Sequence, residues 1–427
     1  MYRKYLNPLE SGFKKAFLIL IIGLCTSVSA QKQHTIKSFL SSINDSKLVY
    51  IDSSTTAQLN DKNYSIPIIK SAQFRLETRR FVETFQEYSL RVKPNSIRAI
   101  SSQKFIYQNK IEEVRISNQI KINKELKNRY LLIIDYVFNE KLIEFYLIRQ
   151  QQLNDKLELL GYSVYDEDFN IKELIESEED LLAANLKLIQ LQKTEKDQLF
   201  YLKEILELKE SSLEVNFENL IQPEQVIGFQ VPNSLPQEFL FSSLQQTKLN
   251  AIENEMKLSI AKSKQFLDFV QAKYNGKSEN LFEDNLSLGL GINLPFFGNA
   301  RQEKSVYYFE KLTRENELKD EIKQHNLKII LAKNDYDTAV LNFETLNNQN
   351  KKSSVSLVYE TYKKMEGVSP LLLLKLKVMQ NKKDIEILKF EQELYISFIE
   401  YLSLNEILFQ KPYLNYLSDT LELLTDQ

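Results

Sequence analysis

Two long stretches of this chain, residues 95–160 and 299–366, contain neither glycine nor proline. The whole sequence has 9 Gly and 9 Pro among 427 residues, whereas average usage would give roughly 30 and roughly 21. Because tight turns depend on these two residues, the stretches leave little room for the frequent turns of a compact enzyme. The sequence instead predicts helices of about 60 residues, which at about 1.5 Å per residue are roughly 90 Å long.

These stretches also have the periodicity of helices that bury one seam. Their apolar residues, with a few polar members, recur at alternating steps of four and three, which is coiled-coil spacing. In the second stretch the seam comprises Leu318, Ile322, His325, Ile329, Ala332, Tyr336, Ala339, Phe343 and Leu346. The segment that follows repeats it with Leu371, Leu374, Val378, Asn381, Ile385, Leu388, Gln392, Tyr395, Phe398, Ile399 and Leu402. In the first half it comprises Leu126, Tyr130, Ile133 and Val137. We interpret the seam as coiled-coil core and His325 as a histidine packed within it.

Strict alternation marks residues 286–294 as a strand. The odd positions are Ser, Gly or Asn, and the even positions begin with Leu286, Leu288, Leu290 and Ile292. This period of two is typical of a strand with one apolar face. Residues 269–274 alternate less regularly and are predicted to pair with it, and residues 74–78 and 88–92 are predicted to form a second hairpin.

On the residues alone, these hairpins allow two interpretations. In a soluble protein the apolar face would cover a core. In a membrane barrel it would face lipid, and the other face would line a wet interior with Arg75, Arg91, Lys93, Ser287 and Asn293. Four strands are too few to close a barrel, so the second interpretation requires several chains.

The few glycines and prolines indicate an internal duplication. Pro94 and Pro295 each precede a long stretch, and Gly161 and Gly367 each end one. The separations are nearly equal, 201 residues (295 − 94) and 206 residues (367 − 161). We interpret this spacing as two tandem repeats of about 200 residues, with coincidence as the alternative.

Composition narrows the class of protein. A chain with 43% hydrophobic and 26% charged residues is expected to fold. A net charge of −3 offers no argument for nucleic-acid binding. One Cys and two His cannot build a Cys/His metal centre, and we identify no catalytic, cofactor-binding or metal-binding residues.

The first 30 residues have the pattern of a secretory signal. A basic start precedes an apolar run at residues 16–24, and Val28, Ser29 and Ala30 fit a small-residue cleavage site. A short buried or membrane-anchoring helix is the alternative. The chain's one cysteine, Cys25, would leave with the signal, and lipidation there is disfavoured because Leu24 precedes it where a small residue is expected.

The order of hairpin, long helix, tip and long helix, given twice, resembles the outer-membrane efflux protein family of TolC type. Residues 286–304 carry the most specific likeness, a strand that ends in Leu-Pro-Phe-Phe and is followed by Gly298 and a helix start. Residues 362–408 carry the second, where Gly367, Val368 and Ser369 occupy the place of the family's helical tip.

The resemblance implies a mainly α fold with a small β part. Two tandem hairpin–long-helix repeats would form, as a homotrimer, a 12-stranded membrane β-barrel continued by an α-helical periplasmic tunnel. It implies a passive export channel in the outer membrane of a Gram-negative-type cell, in contact with outer-membrane lipid. The partners implied are a periplasmic adaptor (membrane fusion) protein and an inner-membrane RND or ABC transporter, in an efflux or type I secretion system.

The implied contact or aperture residues lie at the two periplasmic tips, near Gly161 and Gly367. The family often has aspartates at the second tip, but residues 370–377 contain no acid. The first tip is acidic, with Asp166, Glu167 and Asp168, which we interpret as a solvated loop, the alternative being a selectivity ring. The barrel assignment comprises Arg75, Arg91, Lys93, Leu286, Leu288, Leu290, Ile292, Asn293 and Pro295.

The predicted organisation follows from these assignments. The segments are a signal peptide (1–30), an N-terminal segment (31–66), a first β-hairpin (67–94), a first long helical hairpin with its tip near 161–170 (95–210), a linker or equatorial region (211–240), a helix (241–265), a second β-hairpin (266–297), a second long helical hairpin with its tip near 367–371 (298–408) and a C-terminal tail (409–427). The alternative function is an exported periplasmic coiled-coil adaptor or scaffold, and an enzyme is not expected.

Overall fold

The computed structural model describes residues 34–44, 54, 57, 67–78, 86–165, 169–207, 215–217, 220–230, 239–276, 285–294, 300–365 and 367–424. Within them, long helices dominate and a single four-stranded sheet lies at one end of the helices. The strands are β1 (His34–Thr35), β2 (Ile69–Thr78), β3 (Gln86–Pro94), β4 (Val215–Asn216), β5 (Leu267–Gly276) and β6 (Leu286–Ile292). The helices are α1 (Ile36–Ser41), α2 (Ile97–Tyr162), α3 (Ile171–Ile205), α4 (Pro223–Ile227), α5 (Leu240–Ser263), α6 (Ala300–Lys351), α7 (Ser354–Lys363) and α8 (Pro370–Leu404).

The first glycine- and proline-free stretch forms one continuous helix, as predicted. Helix α2 has 66 residues. The prediction for the second stretch was only partly right, because α6 ends after 52 residues and α7 follows it. Ser353 separates them and caps α7 by accepting a hydrogen bond from the Val355 backbone N–H at 3.3 Å. A short polar side chain that competes for backbone donors can end a helix without glycine or proline.

The predicted heptad seam is buried in part, and its other members in α6 and α8 are half-buried. In α6 the side chains of Ala332, Tyr336, Ala339 and Phe343 are buried, and in α8 the buried residues include Ile385, Leu388, Tyr395 and Leu402. Helix α2 packs against α3, α5 and α8, and α6 packs against α5 and α8. The seam therefore joins the two repeats into one helical body.

The two predicted hairpins form one antiparallel sheet in the order β2-β3-β5-β6. Strands β3 and β5 join the hairpins, with Leu90 opposite Ala272. Strands β2 and β6 are the two edges, and among the residues that the structure describes each pairs on one side only. The sheet thus ends in two open edges.

The buried part of the seam belongs to a core around the middle of α2. We call it the central core; it comprises buried side chains from α1, α2, α3, α4, α6 and α8, from Phe217, Leu220 and Ile221, and from residues 407–424. Its largest fully buried side chains include Tyr130, Phe138, Tyr395 and Phe398. The parallel pair β1–β4 lies beside it and connects the N-terminal segment with residues after α3.

The central core includes segments for which the sequence predicted only a linker and a tail. Tyr416 and Leu417 of the C-terminal segment are buried, as are Ile221 and Val226 near α4. None of the described helices combines the length and the apolar character needed to cross a membrane.

Candidate functional site

One face of the four-stranded sheet is apolar and exposed. The pairing register places Phe74, Leu90, Ala272 and Leu288 in one row across the sheet. The next row contains Leu76, Tyr88, Tyr274 and Leu286. Leu288 is 79% exposed and Phe74 is 68% exposed. An apolar sheet face this open marks a contact surface for lipid or for another macromolecule.

The opposite face is polar and internally paired. Arg91 donates a hydrogen bond from Nη2 to Gln271 Oε1 at 2.8 Å, and its guanidinium lies 4.1 Å from the centre of the Phe269 ring. Lys93 lies 3.6 Å from Asp268, and Lys273 pairs with Glu87. Arg75 and Ser287 share this face, because Arg75 lies opposite Ser89 in β2–β3 and Ser287 opposite Lys273 in β5–β6. The structure therefore places the predicted polar strand residues on one side.

The apolar members of the assignment lie on the other side. Leu286, Leu288, Leu290 and Ile292 alternate with Gly289 and Gly291 along β6. Asn293 follows β6 directly and donates its backbone N–H to the Phe266 carbonyl at 2.7 Å. Pro295 lies outside the described residues.

Gly291 is required by the packing of the polar face. A Cβ at this position would lie 2.3 Å from an atom of the Phe269 ring, which is far inside van der Waals contact. At Gly289 a Cβ would meet only Gln271, at 4.0 Å. The two glycines of one strand therefore have different roles, and only Gly291 makes room for a ring.

The two tips lie at the same end of the helices. Gly161 falls in the last turn of α2, and Tyr165 just beyond it is 96% exposed. Gly367 has a φ of +80°, a conformation that favours glycine, and Val368 and Ser369 lead from it into α8. The predicted acidic cluster, Asp166, Glu167 and Asp168, lies outside the described residues.

An ion-pair network connects the tips. Glu173, in the first turn of α3, lies 3.2 Å from Lys156 of α2 and 2.8 Å from Lys375 of α8. Burial opposes ionisation of Glu173, but hydrogen bonds and charge from Lys375 and Lys156 outweigh it and lower the pKa of the carboxyl. This carboxylate therefore joins the two helical hairpins. The sequence analysis missed it, because the partners come from three separate helices.

A buried carboxylate supports the start of α5. Glu406 is buried, has a φ of 57°, and accepts hydrogen bonds from the backbone N–H groups of Leu240 at 2.6 Å and Phe241 at 3.4 Å. Burial raises its pKa, while these two hydrogen bonds act in the opposite direction. The carboxylate thus caps the helix that leads into β5. No local sequence pattern indicates this contact, because 166 residues separate the partners.

His325 is packed among aromatic rings, as the seam predicted. Its ring stacks on Phe241 at 5.2 Å and meets Phe239 edge-on at 5.5 Å. Burial, together with the charge of Lys328, lowers the pKa of the imidazole. The surroundings give His325 a structural role beside the Glu406 cap.

Comparison with known proteins rests on structure. No protein-family model and no curated protein matches the sequence. Among solved structures, CusC, studied for folding and transmembrane channel formation, is 8% identical with a TM-score of 0.65, covering 88% of this chain and 92% of that chain. The open-state MtrE outer-membrane channel of Neisseria gonorrhoeae is 9% identical with a TM-score of 0.64, covering 87% of this chain and 88% of that chain. The CmeC outer-membrane channel of Campylobacter jejuni is 13% identical with a TM-score of 0.62, covering 87% of this chain and 85% of that chain. At these identities the likeness concerns architecture: the chain has the fold of a TolC-type outer-membrane channel protomer.

Proposed function

We propose that this protein is a passive, trimeric outer-membrane channel that exports material across the periplasm and outer membrane. The observation that carries the proposal is the four-stranded sheet, with one exposed apolar face, one paired polar face and two open edges. A soluble fold would cover such a face and protect such edges. A membrane barrel uses all three features, because lipid contacts the apolar face and neighbouring strands close the edges.

The trimer is what the resemblance implies, and the strand count agrees with it, because four strands need other chains to close a barrel. Three copies of a four-stranded sheet give a barrel of 12 strands, continued by the long helices as a periplasmic tunnel. Stripes of exposed apolar residues on the helices support association of the tunnel walls. On α3 the stripe comprises Ile171, Ile175, Leu182, Leu186 and Ile189. Such a stripe is typical of a helix that packs against another chain.

The polar sheet face would then line the barrel. Arg75, Arg91 and Lys93 would contact water together with Ser287 and Asn293. The charges there are of both signs and mostly paired, as in the Lys273–Glu87 and Lys93–Asp268 contacts. A mixed lining of this kind gives a hydrated path without a dedicated binding site, which fits a passive duct.

The tips would meet the rest of an export machine. A periplasmic adaptor would contact the surface that includes Gly161, Tyr165 and residues 367–369, and an inner-membrane RND or ABC transporter would supply the energy. The exposed Tyr165 and the turn at Gly367 offer aromatic and backbone groups for such a contact. The acidic first tip would take part as a solvated loop.

Insertion and assembly test the proposal directly. The full chain is expressed in a Gram-negative host, and the membranes are fractionated. We expect the protein in the outer membrane, as a trimer that resists detergent without heating and dissociates when boiled. In planar bilayers the purified trimer is expected to give discrete conductance steps. A monomer in the soluble periplasmic fraction, with no conductance, would instead favour an exported adaptor or scaffold.

Photo-crosslinking tests the tip assignment separately. A photoreactive amino acid at Val368 is expected to capture an inner-membrane-anchored protein in the native host. The matched position is Phe105, which is exposed on α2 near the sheet end of the same chain. Equal capture from Val368 and Phe105 would contradict the tip as the adaptor contact.

A further inference from the structure

A cavity lies where the sheet meets the helices. It has a volume of about 740 Å³ and is formed by the start of α2, the end of α5 and the adjoining ends of β3 and β5. Pro94 and Leu267 form its sheet side, and Ser102 and Ala261 are among its helical residues. The cavity therefore occupies the boundary between the sheet and the helical body.

The charged residues that line the cavity are all basic. They include Arg98, Lys257 and Lys264 but no Asp or Glu, in a chain that has 58 acidic against 55 basic residues. Lys257 lies close enough to Glu253 to lower the pKa of that carboxyl, a shift due mainly to the Lys311 hydrogen bond. Arg98 and Lys264 have no ion-pair partner among the residues that the structure describes. Two cations are thus available to an anionic ligand.

The cavity also presents unpaired hydrogen-bond donors. Ser102 is only 8% exposed, yet it lines the cavity and its hydroxyl makes no hydrogen bond within the described part of the chain. Ser96 precedes α2 without capping it through its side chain, and the first turn of α2 contains no acid. The first backbone N–H groups of this helix therefore carry partial positive charge toward the cavity.

Apolar side chains also line the cavity, beside its cations and hydrogen-bond donors. Ile97, 85% exposed, and Phe266, 59% exposed, both line the cavity. The exposed apolar residues Leu90 and Val270 lie further along β3 and β5, the two strands whose ends form the sheet side of the cavity. A ligand that satisfies the whole site has an anionic head and an apolar body. A free inorganic anion would leave the apolar part without a partner.

We propose that this cavity binds the phosphodiester headgroup of an anionic membrane phospholipid, whose acyl chains lie along the apolar sheet face. The inference rests on the proposed insertion of the sheet into a membrane. Arg98, Lys264 and the Ser102 hydroxyl hold the phosphate oxygens. The lining has no carboxylate to accept an ammonium group, so a glycerol headgroup is preferred over ethanolamine. The bound lipid fixes the depth at which the sheet meets the helices.

Binding to the purified full chain in a neutral detergent tests the proposal. Native mass spectrometry is used to titrate three probes: dioctanoyl phosphatidylglycerol, inorganic phosphate and uncharged dioctanoylglycerol. We expect the phosphatidylglycerol to bind most tightly, at one molecule per chain. The double variant R98Q/K264Q is expected to weaken this binding at least about tenfold, because two charge-assisted contacts are lost. The charge-retaining R98K/K264R is expected to keep most of it.

The matched control is K104Q/K262Q, which removes two exposed lysines from the same two helices outside the cavity. It is expected to bind phosphatidylglycerol within about twofold of the wild type, because screened surface charges have little effect on a site they do not touch. The proposal is overturned if R98Q/K264Q binds like the wild type or if the control loses as much. It is also overturned if inorganic phosphate or dioctanoylglycerol binds as tightly as the lipid.

This readout is separate from channel formation. Lipid binding in detergent does not require a conducting trimer, and conductance of R98Q/K264Q is measured in parallel. Conductance without selective lipid binding overturns the lipid site and leaves the channel standing. Selective lipid binding without trimers or conductance overturns the channel and supports the site.

Discussion

The central core is buried and hydrogen-bonded by contacts within one chain, whereas the four-stranded sheet keeps an exposed apolar face and two open edges. In the central core, Tyr130 is fully buried and donates its hydroxyl to the Leu414 carbonyl at 2.7 Å, and Tyr336 donates to the Val226 carbonyl at 2.6 Å. In the sheet, Phe74 and Leu288 are mostly exposed, and β2 and β6 each have an open edge. The same chain thus contains a closed region and an open one.

The difference shows which parts of the fold are completed by contacts within a single copy of the chain. The central core ties together α1, α4, α8 and the C-terminal segment through buried rings and backbone carbonyls, so these contacts are made within one chain. The strands of the sheet pair with one another, and no part of the described chain covers the apolar face. The stability of the isolated sheet is therefore expected to be low. Under the proposed function, lipid covers its apolar face and strands of neighbouring copies pair with its edges.

The largest expected effect is in the central core. Tyr130→Ala removes a fully buried ring and is expected to cost about 3–5 kcal/mol of unfolding free energy. Tyr130→Phe keeps the ring but leaves the Leu414 carbonyl without its donor, and is expected to cost about 1–3 kcal/mol. Urea unfolding of the full chain, followed by circular dichroism, measures both. An unchanged midpoint for Tyr130→Ala would show that the core is not closed.

The second effect separates the two faces of the sheet. Leu288→Arg places a charge on the apolar face and is expected to cost about 2–4 kcal/mol of membrane insertion, because the guanidinium would face hydrocarbon. Ser287→Arg adds the same side chain to the polar face of the same strand and is expected to insert normally. The yield of trimer in the outer membrane measures both variants. Equal yields would mean that the apolar face does not meet lipid.

The third effect concerns packing on the polar face. Gly291→Ala forces the Phe269 ring to move and is expected to cost about 1–3 kcal/mol. Gly289→Ala, two residues away, has room for its methyl group and is expected to be close to neutral. Replacing Phe269 by Ala in the Gly291→Ala background should restore part of the loss. Thermal dissociation of the proposed trimer provides the measurement, and equal shifts for the two glycines would contradict the packing.

The smallest effect is at the tips. The pKa of Glu173 is lowered in the folded chain. Its ion pairs therefore contribute stability above the ordinary value of 4.5, and that stability is lost as the pH falls through the folded pKa. Glu173→Gln is expected to cost no more than about 1 kcal/mol, because Lys375 is partly exposed. Hydrogen exchange in the first turns of α3 and α8 should be faster in the variant at pH 7 and equal to the wild type in acid.

Glu176→Gln is the control for this last prediction. Glu176 belongs to the same helix and pairs with Lys172, but both side chains are exposed, at 62% and 82%. Its replacement is expected to leave exchange at the tips unchanged. If the two variants behaved alike, the ion pairs of Glu173 would have no special part in joining the hairpins.

Local patterns predicted most of the fold. The steps of four and three identified the residues that pack along α6 and α8, and the alternation at residues 286–294 identified β6 and its two faces. Both signals are properties of neighbouring residues, since a helix or a strand repeats its own geometry. The turn at Gly367 was predicted because this glycine ends the second long stretch. Its positive φ is a conformation that favours glycine.

Contacts between residues far apart in the sequence could not be predicted from local patterns. The pairing of β3 with β5 joins Arg91 to Gln271 across 180 residues, and no local pattern encodes such a partner. The burial of residues 413–424 depends on Tyr130 and other residues of α2, and the Glu173 network depends on three helices. The break before α7 did have a local signal, the capping Ser353, which the positions of glycine and proline do not reveal.

Cysteine pairs across the open edges test the central claim most directly. Arg75, Ser89, Lys273 and Ser287 form one row across the sheet, so the two edges of one chain are about 14 Å apart at three spacings of about 4.8 Å, beyond the reach of a disulfide. Ser287→Cys is combined in turn with a cysteine at each polar-face position of β2. Those positions are Ser71, Gln73, Arg75 and Glu77.

We expect one of these pairs to give, on oxidation in the membrane, a ladder of linked chains that ends at three. That result would show that β6 of one copy pairs with β2 of the next and that the ring closes at the trimer. Unlinked monomers from all four pairs, or a ladder that continues beyond three, would contradict the account.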